Sequence, residues 1–142
     1  MRLALATPTL ATLALIGLAT AAQPLTPKLH PEITLIGGEA QVIPDSGVTL
    51  LLTKVDDARC PPDVECYWEG MIRAEITVLT TKPELMQIVL CNLCDDGQGL
   101  VTVAGLTIGL VGLAPSTEEL AKLGRAPLLT DYALTVNYAQ VE

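Results

Sequence analysis

The chain has 142 residues, half of them hydrophobic, and its sixteen Asp and Glu against eight Lys and Arg leave a net charge of −8. That balance repels nucleic acid and anionic lipid headgroups, and so argues against both as partners. Phe is absent and only one Trp and three Tyr occur. The core must therefore be aliphatic, and platforms for stacking bases or sugars are few.

Residues 1–22 read as an export signal. Arg2 supplies the positive start, Leu10 to Ala19 an apolar stretch too short to span a bilayer, and Thr20-Ala21-Ala22 a small-residue cleavage site. No later apolar run is long enough for a membrane span; the richest, Leu100 to Leu113, is interrupted by Gly105, Gly109 and Gly112. The expected mature chain is exported, periplasmic or secreted. With Arg2 removed, seven basic residues face sixteen acidic ones. Residues 23–32, with three prolines and no hydrophobic period, read as an extended arm. Residues 33–142 are expected to form a single β domain.

Strand expectations follow from alternation and punctuation. Ile33 to Ile36 ends at Gly37-Gly38, and Glu39 to Ile43 stops at the turn signal Pro44-Asp45-Ser46-Gly47. Val48 to Val55 is a long apolar run leading into the segment Val55 to Gly70. Met71 to Thr80 alternates, with Ile72, Ala74, Ile76 and Val78 on one face, as a half-buried antiparallel strand does. Leu85 to Leu90 and Leu100 to Val103 flank a hairpin region, and Leu106 to Leu113 forms another strand. Tyr132, Leu134, Val136 and Tyr138 share one face of the last. One short helix has a start signal, with Ser116 as N-cap and Glu119 three positions on, and Gly124 as its stop. Seven or eight short strands with one helix describe an all-β antiparallel sandwich or barrel.

Four cysteines in a small exported domain favour two disulfides. Cys60–Cys66 with Cys91–Cys94 is the local pairing, and two cross-pairings remain open. Cys60 and Cys66 flank Pro61-Pro62, so a bond between them would pin a rigid loop between strands. Asp63, Glu65, Trp68 and Glu69 are the binding candidates there, because a preorganised acidic loop binds with little ordering cost. Trp68 is expected to pack on the disulfide as part of the core, as in immunoglobulin-type sandwiches, with a surface anchor as the alternative. Asp56, Asp57, Asp63, Glu65 and Glu69 read as a solvated rim; their spacing matches no calcium loop.

The rival reading uses the four thiols for metal or redox chemistry. Two ligands from each segment would suit zinc or copper(I), although five residues between Cys60 and Cys66 is wide for a zinc knuckle. Cys91-Asn92-Leu93-Cys94 has thioredoxin-type spacing, but Asp95-Asp96-Gly97 follows it where a helix should, and two carboxylates oppose a reactive thiolate. An enzyme is not expected, nor a cofactor. The single histidine, His30, lies in the arm, and no nucleophile–base arrangement can be assembled around it.

The run Asp56-Asp57-Ala58-Arg59-Cys60-Pro61-Pro62-Asp63-Val64-Glu65-Cys66-Tyr67-Trp68-Glu69-Gly70 resembles a family of small exported bacterial proteins and lipoproteins with a D-S-R-C-P-x-D-V-x-C-x-W-x-G motif. Leu110-Val111-Gly112-Leu113-Ala114-Pro115 and the closing Tyr132 to Val136 segment fit the same family. Ala58 stands where the motif has Ser, the lipid-bearing Cys is absent, and Cys91-x-x-Cys94 lies outside the motif. The resemblance implies an exported, disulfide-bearing β domain and carries over no catalytic residues; apart from it, the first reading is a non-enzymatic module that binds an unidentified protein or envelope component.

Overall fold

The computed structural model describes residues 31–94 and 99–141. The signal segment, the arm as far as His30, residues 95–98, expected from the sequence to turn, and Glu142 lie outside the described residues. Eight strands follow in order: β1 (Glu32–Ile36), β2 (Ala40–Ile43), β3 (Val48–Arg59), β4 (Gly70–Leu79), β5 (Leu85–Asn92), β6 (Leu100–Val103), β7 (Leu106–Ala114) and β8 (Ala133–Gln140). A short helix, α1 (Thr117–Ala121), and a 3-10 turn at Leu129–Asp131 lie between β7 and β8. The strands form two four-stranded sheets, β1-β8-β7-β6 and β2-β3-β4-β5, with every pairing antiparallel. This is the all-β sandwich that the spacing of short strands predicts.

Alternation is what makes the two layers face each other. Along β4, Gly70, Ile72, Ala74, Ile76 and Val78 are buried and each intervening side chain is half-exposed. Leu35 from β1, Ile43 from β2, Val48, Leu50 and Leu52 from β3, Ile88 and Leu90 from β5, Leu106 and Ile108 from β7, and Leu134 and Val136 from β8 join Ala74, Ile76 and Val78 in one cluster. The largest fully buried side chains are all Leu, Ile or Val. Each contributes roughly 1.5–3 kcal/mol by leaving water. Among the described residues no polar or charged residue is buried in that core. An aliphatic interior closes without help from an aromatic ring at its centre.

Two departures from the sequence reading bear on function. β3 does not stop at Val55 but runs on to Arg59. Its pairing with β2 ends at Leu51, and its register with β4 shifts between Leu52 and Lys54. Beyond that bulge β3 pairs on one side only, with β4 as far as Arg59 and Gly70, while β4 stays paired with β5 as far as Ile72 and Asn92. Asp56 and Asp57 are therefore strand residues, not loop residues. The second departure is small: β1 takes in Glu32, the last residue assigned to the arm.

Helix α1 forms as its start signal predicts. The Ser116 side chain accepts from the Glu119 amide, and the Ser116 amide donates to the Glu119 carboxylate at 2.8 Å. The helix ends at Ala121, three residues before Gly124.

Candidate functional site

The end of the sandwich where β3 passes into β4 carries most of the residues that the sequence singles out. Arg59 is the last residue of β3 and pairs with Gly70, the first of β4. Residues 60–69 between them form one loop, all of it exposed except the half-buried Cys60. Cys60 and Cys66 are disulfide-bonded, with Cα atoms 5.9 Å apart, an ordinary separation for such a bond. The bond closes the loop into a small ring stiffened by Pro61 and Pro62. A chain confined in this way has little freedom left to lose on binding.

The loop is anchored at its base by an ion pair that the sequence reading passed over. Asp57 and Arg59 lie two apart on β3 and therefore point to the same face. The Arg59 side chain donates to both Asp57 carboxylate oxygens, from Nε at 2.8 Å and from Nη2 at 2.7 Å. Its remaining donors cross to the other sheet, with Nη1 reaching the Leu113 carbonyl and Nη2 the Pro115 carbonyl, each at 2.8 Å. Their side chains are only 17% and 8% exposed for Arg59 and Asp57 respectively. Burial pushes the Asp57 carboxyl up, but the Arg59 hydrogen bonds and charge outweigh it and hold the group below its ordinary value. The nearby Tyr132 hydroxyl favours the charged carboxylate further. Asp57 is thus a structural tether rather than part of a solvated rim. The available signal was the Asp-x-Arg spacing at a strand end.

Gly70 completes the base. Its φ of +84° lies in the left-handed region, and a Cβ there would sit 2.6 Å from both the Ala58 carbonyl oxygen and the Arg59 Cα. Only glycine lets the chain turn out of the loop and into β4 at this point.

Beyond the anchored base, the side chains face water. Asp63, Glu65 and Glu69 are exposed. Trp68 is 74% exposed and Tyr67 95% exposed, so the expectation that Trp68 packs on the disulfide as core is wrong. The reason is geometric: Trp68 lies in the loop beyond Arg59 and Gly70, the last paired residues of β3 and β4, and not on a strand that faces the other sheet. The two rings instead contact each other edge to face, with centroids 5.7 Å apart and planes at 89°. Tyr67 was not among the sequence candidates; its place next to Trp68 was the only clue. A shallow groove of about 290 Å³ lies beside the loop base, lined by Pro61, Pro62, Leu120, Pro127 and Tyr132 with the Asp57–Arg59 pair.

Cys91 and Cys94 are bonded to each other at the same end, where β5 finishes opposite the start of β4. The local pairing is therefore the one formed. Cys91 is 1% exposed, so a soluble thiol has no direct approach to that sulfur. The Asn92 side chain accepts from the Ile72 amide at 2.6 Å and ties this corner to β4. The described cysteines are all in disulfides, and among the described residues no three His, Cys, Asp or Glu side chains cluster as metal ligands do. A thiolate metal site would require both bonds to be reduced first.

No protein-family profile matches the chain, and neither curated proteins nor solved structures give a significant match. What the site can do is accordingly argued from its own geometry. Among the described residues no helix is long and apolar enough to cross a membrane.

Proposed function

We propose that this protein is an exported, non-enzymatic binding module of the cell envelope, periplasmic or secreted, that captures a protein or other envelope component with its 60–69 loop. The observation that carries the reading is the pair Tyr67 and Trp68, presented to solvent on a loop closed by Cys60–Cys66 and held at its base by Arg59. Trp and Tyr are the side chains most often found at the energetic centre of protein interfaces. A soluble domain has little reason to expose its single Trp on a stiffened loop unless something covers it. The resemblance of residues 56–70 to an exported family supports the same reading, as do the two disulfides, which need an oxidising compartment.

The test is site-specific photo-crosslinking in cells that export the full chain. A crosslinker at position 67 is expected to trap a discrete adduct, lost in Trp68→Ala, while one at position 84, at the opposite end of the sandwich, traps none. An adduct of equal yield from position 84, or one indifferent to Trp68→Ala, would sink the proposal.

A further inference from the structure

The chemistry around Tyr67 and Trp68 narrows the partner, and the inference rests on the loop being the binding site. We infer that the loop recognises a cationic protein segment, one that lays an Arg or Lys side chain on the face of Trp68 or Tyr67 while Glu65 and Glu69 receive its charge.

The aromatic pair makes this a site; the carboxylates alone would be a solvated rim. In an edge-to-face pair one ring points its edge at the other, so most ring faces stay open, and both residues are largely exposed. The face of an aromatic ring is electron-rich and attracts a guanidinium or ammonium group. Charge then selects the occupant. Residues 60–69 contain Asp63, Glu65 and Glu69 and not one Lys or Arg. The nearest basic residue in sequence, Arg59, is held by Asp57 and by the Leu113 and Pro115 carbonyls. Lys54 lies further down β3 and pairs with Asp56 at 3.0 Å and Glu75 at 3.6 Å. An anionic or uncharged partner would bury the carboxylates unpaired, which is costly; a cationic one pairs them. The same carboxylates oppose insertion of the rings into an anionic membrane surface.

The experiment uses the full mature chain and three labelled synthetic peptides of equal length and apolar content: arginine-rich, glutamine-rich and glutamate-rich. Binding is followed by anisotropy of the peptide label, and in the parent protein also by emission of its one Trp. The arginine peptide is expected to bind and shift Trp68 emission, and the glutamate peptide not to bind. Trp68→Ala should weaken the arginine peptide by about tenfold or more. Glu65→Gln with Glu69→Gln should weaken it several-fold and flatten its salt dependence. The charge-matched control Asp45→Asn with Glu84→Gln alters exposed residues at the far end and should leave affinity nearly unchanged. All variants are on the surface, and their melting curves check that they fold.

Equal loss in the control pair would mean that net charge, not the loop, attracts the peptide, and would overturn the inference. A glutamine peptide that binds as tightly and still depends on Trp68 would overturn cation recognition while leaving the loop as the docking site. Trp68-dependent binding to zwitterionic vesicles, without peptide binding, would replace the protein partner by a membrane surface. No dependence on Trp68 in any arm would overturn the inference, leaving the crosslinking to decide whether the loop binds anything.

Discussion

At one end of the sandwich three hairpins close on short turns; at the other, a ten-residue loop, two disulfides, a helix and a 3-10 turn are held together by side chains. The short-turn end relies on local backbone geometry. Asp45 and Gly47 take positive φ between β2 and β3, with Ser46 bonded to both flanking strands. Ala104 and Gly105 do so between β6 and β7, as a two-residue hairpin turn requires. Among the described residues a single side-chain bond, Gln140 to the Asp45 carbonyl at 3.1 Å, spans the sheets there. The disulfide end joins the sheets through Arg59 and carries Asp131, whose carboxylate accepts from Arg125 and from the Leu128 amide at 2.7 Å. Turns suffice to close a sandwich, so the extra construction at one end serves to hold a loop in a set position.

If that is right, stability should be unevenly sensitive. Arg59→Ala has the largest expected effect. It strands a nearly buried Asp57 carboxylate and removes donors from the Leu113 and Pro115 carbonyls. Breaking a fully buried pair costs about 3–5 kcal/mol; with partial exposure we expect about 2–4 kcal/mol in urea unfolding. Asp57→Asn with Arg59→Met should recover part of it, because no charge is then left unpaired. A loss below about 1 kcal/mol in Arg59→Ala would show that the tether is dispensable.

Two glycines sharpen the contrast because their backbones are alike. Gly70 has φ +84° and Gly105 φ +74°, yet a Cβ at Gly105 meets nothing within 4 Å while one at Gly70 meets backbone atoms at 2.6 Å. Alanine at Gly105 should therefore cost only the left-handed penalty, about 1–2 kcal/mol. Alanine at Gly70 should cost more, because β3 and β4 must move apart, and melting curves of the two variants compare them directly. Equal costs would mean the loop base between Arg59 and Gly70 yields freely. Removing the first disulfide, as Cys60→Ser with Cys66→Ser, should cost about 2 kcal/mol from loop entropy alone.

These expectations also mark how far the sequence could be read. Strand β4 was legible because period two is a local property, and helix α1 because its cap residues sit side by side in the chain. The pairing of Cys91 with Cys94 was one of three possibilities until the ends of β4 and β5 were placed together. The Asp57–Arg59 tether was missed because its value depends on two carbonyls, Leu113 and Pro115, more than fifty residues away. Trp68 was misplaced for the converse reason: whether a ring is buried depends on what faces it, and the loop that carries it lies beyond Arg59 and Gly70, the last paired residues of β3 and β4.

Acidification should discriminate between the ends as well. The Arg125 side chain and the Leu128 amide hold the Asp131 carboxyl down at about 2, against an ordinary 3.8. Asp57 is also lowered. A group with a depressed folded value stabilises fully above its unfolded value and loses that contribution as pH falls through the folded one. Stability should thus carry the full contribution of these groups at neutral pH, with no pH dependence from them there, and decline between about 4 and 2. Hydrogen exchange in that range is expected to rise first around Arg59, Leu128 and Tyr132, while amides near Ser46 and Gly105 stay protected. Opening that begins at the turns would reverse the comparison.

The smallest expected effect on stability is at Trp68, the residue on which the proposed binding role depends most. Trp68→Ala removes a large ring, and a core Trp would cost about 3–5 kcal/mol on such truncation. Here the ring is mostly in water and its one described ring contact is Tyr67. The expected change is therefore within about 0.5 kcal/mol, as for other surface substitutions. A binding surface differs from a core in this respect: its apolar groups are desolvated only when the partner arrives, so their removal leaves the free protein intact and weakens the complex. Unfolding of Trp68→Ala beside the parent chain measures the first half of that statement and the peptide titration the second. A large loss of stability would return Trp68 to a structural role and remove the main support for the loop as a binding site.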